Sequence, residues 1–178
     1  MATAPWCCLS TRHTDVPLGA PRPTSVRQDL TVSSTSAPSI TFELRPFDQD
    51  CRQLVPVVGA DLLSDLVTDF ERTQAYEPAG GYGGLVLEYY KFGDLARYLV
   101  GEQTPWPGAR VPLLGCACGD WGCWPLVANV SAAEGFVSWD AFAQPHRPGR
   151  DYSGFGPFRF DEASYRHAAQ DAADTARA

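Results

Sequence analysis

A chain of 178 residues is long enough for one domain with its own core plus a tail, since single domains run to about 100–200 residues. Its formal net charge of −7 gives no general attraction for phosphate backbones or anionic membranes, so nucleic acid and membrane are not expected partners. Hydrophobic residues at 44% and aromatics at 12% supply enough apolar surface to offset the entropy of ordering, which excludes global disorder.

Residues 1–39 hold 12 Ser or Thr and five Pro and show no helical or strand period, the composition of a disordered low-complexity tail. Cys7 and Cys8 fall inside it. No apolar run approaches the roughly 18–20 residues of a membrane span, and no apolar stretch follows a basic start, so neither a span nor a secretion signal is expected. The six cysteines then read as reduced thiols of an acidic cytoplasmic protein rather than as a disulfide framework.

A single domain is expected over 40–178. It opens at Ile40-Thr41-Phe42-Glu43-Leu44-Arg45, where apolar and polar residues alternate with the period of a half-buried strand. Beyond Pro56 and Gly59, the spacing of Leu62, Leu63, Leu66, Val67 and Phe70 predicts a helix ending near Thr73, with Asp65, Asp69 and Arg72 outward. The run from Pro78 to Gly84 lacks the Gly-Lys-Ser or Gly-Lys-Thr of a phosphate loop and reads as a flexible connection into a strand from Leu85 to Tyr90. Asp94 is placed to cap a short helix through Leu95, Tyr98 and Leu99 that stops at Gly101. A Pro- and Trp-rich break follows at 104–108.

From Val111 to Val130, two apolar arms flank Gly119-Asp120-Trp121-Gly122 as in a hairpin. Phe136 to Phe142 follows as a strand, Gln144 to Pro157 as a long loop, and Phe158-Arg159-Phe160 as another strand. Asp161 caps a last helix carrying Tyr165, Ala168, Ala169 and Ala172 inward, with His167 outward. The fold class these elements predict is α+β, an antiparallel β meander with about three helices.

The run Leu114-Gly115-Cys116-Ala117-Cys118-Gly119-Asp120-Trp121-Gly122-Cys123-Trp124-Pro125-Leu126 is followed by Gln144-Pro145-His146-Arg147 and Gly156-Pro157-Phe158-Arg159-Phe160-Asp161. Together they resemble a family of bacterial proteins over roughly residues 40–172. The resemblance implies bacterial origin and brings no assigned activity, catalytic residue or cofactor.

The chemistry must then come from the thiols. Were Gly119 to Gly122 a four-residue loop, Cys118 and Cys123 would face each other across the ladder and Cys116 would lie on the same face two residues back. Three thiolates and His146 from the later loop would make a Cys3His zinc site, although C-x-C-x4-C lacks the C-x2-C pairs in which backbone amides bond the sulfurs. Opposed Cys118 and Cys123 could instead form a disulfide with Cys116 resolving it, without the C-x-x-C motif that tunes redox thiols. Ahead of both stands simple packing, since free Cys is among the most buried residue types and small thiols suit a crowded sheet face beside Gly115, Gly119 and Gly122.

Trp121 at the loop tip is a candidate partner contact. Arg147, Arg150 and Tyr152, with Phe155, could form a small anion or aromatic pocket in the long loop, or the two arginines could pair with Asp140, Asp151 or Asp161. No carboxylate pair, triad or nucleotide fingerprint stands out. The sequence therefore points to a non-enzymatic domain that binds a protein or small ligand without a cofactor, with a zinc-binding domain and, after it, a thiol–disulfide protein as the alternatives.

Overall fold

The structure is a computed structural model that describes residues 37–89, 91, 93–104 and 110–178. The tail reading of residues 1–36, with Cys7 and Cys8, and the break at 105–108 lie outside them.

The alternation at the start of the domain builds β1 (Ile40–Pro46), which buries Ile40 and Phe42. It pairs antiparallel along its whole length with β2 (Arg52–Val58), from Ile40↔Val58 to Pro46↔Arg52. β2 is absent from the sequence reading because Pro56 interrupts its Leu54, Val55, Val57 and Val58. The pairing explains how Pro56 is tolerated. On its second edge β2 meets β5 (Leu85–Val86) through Gln53 and Leu54 and β3 (Asp61–Leu62) through Val57 and Val58, so Pro56 falls between the two partners, where a missing N–H breaks no ladder bond.

Helix α1 (Leu63–Thr73) follows as predicted and buries Leu63, Val67 and Glu71. The glycine run is not a free connection: Tyr82 and Gly83 form β4, paired with Cys116 and Gly115. The strand expected to run on to Tyr90 is only β5, and a single 3-10 turn, Leu87–Tyr89, takes over. Asp94 accepts the Arg97 amide at 2.9 Å to cap α2 (Leu95–Leu99), and Gly101 leaves it at φ +76°.

The second sheet has the order β4-β6-β7-β8-β9, all antiparallel, with β6 (Val111–Cys116), β7 (Leu126–Ala133), β8 (Phe136–Ala143) and β9 (Phe158–Asp161) forming the meander. Asp161 accepts the Ser164 amide at 2.8 Å and starts α3 (Glu162–Arg177), which packs on β1, α2, β8 and β9. The architecture is therefore α+β, with three α-helices among the described residues.

Trp139, Phe160 and Tyr165 are wholly buried where α3 crosses the sheets. The Trp139 indole donates to the Tyr165 hydroxyl at 3.0 Å, and that hydroxyl donates to the Leu99 carbonyl at 2.7 Å, so both polar tips are satisfied inside the aromatic core. No helix among the described residues is long and apolar enough to cross a membrane.

Candidate functional site

The three thiols do come together, by a different route from the expected ladder. β6 ends at Cys116 and β7 does not begin until Leu126, which pairs with Leu114. Cys118 and Cys123 therefore sit in an irregular turn rather than opposite one another on strands. Even so, the sulfurs of Cys116, Cys118 and Cys123 all lie within 4.8 Å of one another.

Asp120, which the sequence reading passed over, organises that turn. Its carbonyl accepts the Cys116 amide at 3.2 Å, and its carboxylate accepts the Gly122 amide at 2.7 Å. Gly119 is required twice: its φ is +90°, and a Cβ there would stand 2.6 Å from the Phe47 ring. β4 holds the other side, since the Ala117 amide donates to the Gly81 carbonyl at 2.9 Å.

The Cys118 amide points at the Cys116 sulfur at 3.4 Å. Hydrogen bonds from the Cys116 thiol and the Asp120 amide hold the Cys118 thiol below its ordinary pKa. Hydrogen bonds with Cys116 and Cys118 push Cys123 up to about 11. Amide-to-sulfur bonds, the feature that C-x-C-x4-C spacing was expected to lack, are thus supplied by this turn. Cys118 and Cys123 are exposed and Cys116 half-buried.

His146 also reaches the turn. Its Nε2 lies 2.5 Å from the Gly122 carbonyl, beside Cys123, and the ring is exposed. Trp121 is not an exposed tip: it is half-buried, its indole donates to the Val86 carbonyl at 3.3 Å, and its ring stands 6.3 Å from that of Tyr98. With the tip folded inward, a groove of about 430 Å³ lined by Tyr89, Cys118, Asp120 and Trp121 opens beside the thiols.

The remaining predicted residues belong to a second constellation centred on Glu71, which is 0% exposed. Arg150 does not pair with Asp140, Asp151 or Asp161. Its Nη1 lies 3.0 Å from Glu71 Oε1, at ion-pair distance without hydrogen-bond alignment, and its Nη2 donates to the Pro78 carbonyl at 2.7 Å. The Tyr152 and Tyr82 hydroxyls donate to Glu71 Oε1 at 2.5 and 2.7 Å, and the Gly80 amide donates to Oε2 at 2.7 Å. Arg147 stacks 4.0 Å over Trp124 and donates to the Glu77 carbonyl at 3.3 Å. The helical period carried the signal for Glu71, which is four residues beyond the inward Val67.

Burial, followed by hydrogen bonding with Tyr152 and Glu71 for Tyr82 and with Glu71 for Tyr152, holds both phenols above the ordinary range, and burial does the same for Tyr165. In the unfolded chain these phenols ionise near about pH 10, while the folded chain keeps them protonated, so above that pH the folded state binds more protons. Their contribution is complete below about pH 10 and is lost as pH rises beyond it. Urea midpoints measured upward through about pH 10 should fall past that value, and more gently in Tyr165→Phe than in the parent. An equal fall in both would show that Tyr165 contributes nothing to it.

Comparison with family models, curated proteins and solved structures returns no match for the chain, so the chemistry of these two constellations carries the functional reading.

Proposed function

We propose that the chain is a non-enzymatic binding domain whose ligand is zinc, held by the thiolates of Cys116, Cys118 and Cys123. The observation that carries this reading is the approach of the three sulfurs to within 4.8 Å. Tetrahedral zinc with Zn–S bonds of about 2.3 Å sets neighbouring sulfurs about 3.8 Å apart, so closing on the metal asks for movements of at most about 1 Å. Simple packing explains the cluster poorly, because that reading relies on buried thiols and two of these are exposed.

His146 is placed to complete a Cys3His set if its ring leaves the Gly122 carbonyl; otherwise solvent or a ligand in the groove beside Cys118 takes the fourth position. Elemental analysis of the full chain, purified under reducing conditions from zinc-supplemented cells, should give near-stoichiometric zinc. Cys118→Ser should lose it, and His146→Ala should weaken retention only if the imidazole ligates. A folded, reduced chain that neither carries zinc nor takes it up overturns the reading. The same metal-free chain with Cys118 and Cys123 joined after mild oxidation would favour the thiol–disulfide alternative, which the exposure of both sulfurs also suits.

A further inference from the structure

Asp140, Ala141 and Phe142 are consecutive residues of β8, yet all three line one cavity of about 460 Å³. In a regular strand Ala141 would face away from its neighbours. What departs from the alternation is Phe142, which joins Val137 and Trp139 on the buried face while Ala141 is exposed, and the pairing shows why. β7 and β8 register as Asn129↔Asp140 and resume as Val127↔Ala143, so Ala141 and Phe142 together oppose Ala128 alone. This is a β-bulge, and Ala141 holds φ +48°, a left-handed conformation unfavourable to any residue with a Cβ. Backbone kept in such a conformation to turn side chains into a cavity is a device associated with binding and catalytic sites.

The cavity has two kinds of wall. Its floor is aromatic: Phe142, Tyr152 and Phe155 are buried, with the Phe142 and Phe155 rings 4.9 Å apart. Its polar side carries Arg110, Asp140 and Asp151. Arg110 is exposed, and its guanidinium has no ion-pair or hydrogen-bond partner among the described residues. Asp140 uses Oδ1 to accept from Asn129 Nδ2 at 3.1 Å, and Asp151 uses Oδ1 to accept the Ser153 amide at 2.8 Å. The second oxygen of Asp140 has no other partner among the described residues, while Asp151 also accepts from the Ser153 hydroxyl and faces the cavity as a charge already hydrogen-bonded on its own loop. Arg150 reaches the same cavity with its charge already matched by Glu71.

We propose that this cavity binds a small zwitterion with an aromatic body, of the class of aromatic α-amino acids. The ligand's carboxylate meets Arg110, its ammonium meets Asp140 and Asp151, and its ring lies on the aromatic floor. The volume falls within the about 300–1,000 Å³ of small-molecule sites, and an apolar floor with a few convergent charges is how such sites fix orientation. An acid alone forgoes the contact with the two carboxylates and sets a like charge near them, and an amine alone forgoes the contact with Arg110, so each makes one of the two charge contacts. The inference is independent of the zinc reading.

Calorimetric titration of the full chain with phenylalanine, phenylpropionate and phenethylamine tests it. Phenylalanine should bind saturably at millimolar or lower concentration, and each single-charge analogue should bind at least roughly tenfold more weakly. Arg110→Gln, at an exposed position, should leave the circular dichroism spectrum unchanged, weaken phenylalanine by roughly tenfold and leave phenethylamine as it was. Absence of saturable binding by phenylalanine, equal binding of the three probes, or an Arg110→Gln chain that binds phenylalanine as the parent does would each overturn the proposal.

Discussion

Glu71→Ala is expected to lower the stability of the domain by about 3–5 kcal/mol, read from urea unfolding followed by circular dichroism, the largest loss among the substitutions considered. The carboxylate is 0% exposed and gathers two phenols, one backbone amide and one guanidinium. The cost arises from what remains after its removal. The Arg150 side chain is only 7% exposed, and without Glu71 it is left as a buried cation. The Pro78 carbonyl and the face of the Tyr76 ring, 5.1 Å away, offer it dipoles and no opposite charge. Tyr82, Tyr152 and the Gly80 amide lose their acceptor in the same step.

Two companion variants separate charge from volume. Glu71→Gln keeps the shape and an acceptor for the phenols and removes the countercharge, so a smaller loss of about 1–3 kcal/mol is expected. Glu71→Leu combined with Arg150→Met removes both charges, and it should be more stable than Glu71→Ala because no buried ion is left unpaired. A double variant no better than the single one would show that the hydrogen bonds to the phenols and the Gly80 amide, rather than the ion pair, carry the network.

Which parts of this molecule could be read in advance follows from how local their causes are. β1, β8, β9 and the two capped helices α2 and α3 declare themselves within a few residues: alternation in Ile40-Thr41-Phe42, and an aspartate at 94 or 161 whose carboxylate finds an amide three positions on. β2 could not be read, because Pro56 is acceptable only where the two short strands β3 and β5 leave a gap on its edge. That fact belongs to the sheet rather than to the segment.

The thiol cluster shows a third situation. Its convergence is foreseeable from close spacing around glycines, while its geometry depends on the reach of Asp120 back to Cys116 and forward to Gly122. Glu71 lay on the inward face by period, but a carboxylate on a helix is ordinarily solvated. What allows its burial is Arg150 and Tyr152, brought in from the long loop far along the chain. The cavity beneath Ala141 was hidden for a related reason. The strand period assigned Phe142 to the outer face with Ser138 and Asp140, and only the bulge at Ala141 turns it to the buried face of Val137 and Trp139.

Gly84→Ala is the second substitution with a large expected effect, and it tests how the two sheets are joined. Gly84 lies between β4 of one sheet and β5 of the other. A Cβ there would stand 2.6 Å from the Leu54 carbonyl oxygen, 3.0 Å from its carbonyl carbon and 2.8 Å from Val55 Cγ2. Leu54 is wholly buried in the middle of its sheet, paired with Leu44 on one side and Leu85 on the other, so its backbone has nowhere to recede. Overpacking of this kind costs about 1–3 kcal/mol, and contact with backbone rather than with a side-chain tip places Gly84→Ala toward the upper end.

Gly149→Ala supplies the control: nothing lies within 4 Å of its added Cβ and its φ is not left-handed, so that variant should be neutral or slightly stabilising. The pair also bears on the thiol site, because the strand displaced by a Gly84 side chain is the one in which Tyr82 pairs with Cys116 and the Gly81 carbonyl receives the Ala117 amide. Gly84→Ala should therefore lower both the urea midpoint and zinc retention, and Gly149→Ala neither. A Gly84→Ala chain as stable as the parent would mean that the sheets can part at this seam, whereas a destabilised chain with undiminished zinc would mean that the turn around Asp120 holds its sulfurs without support from β4.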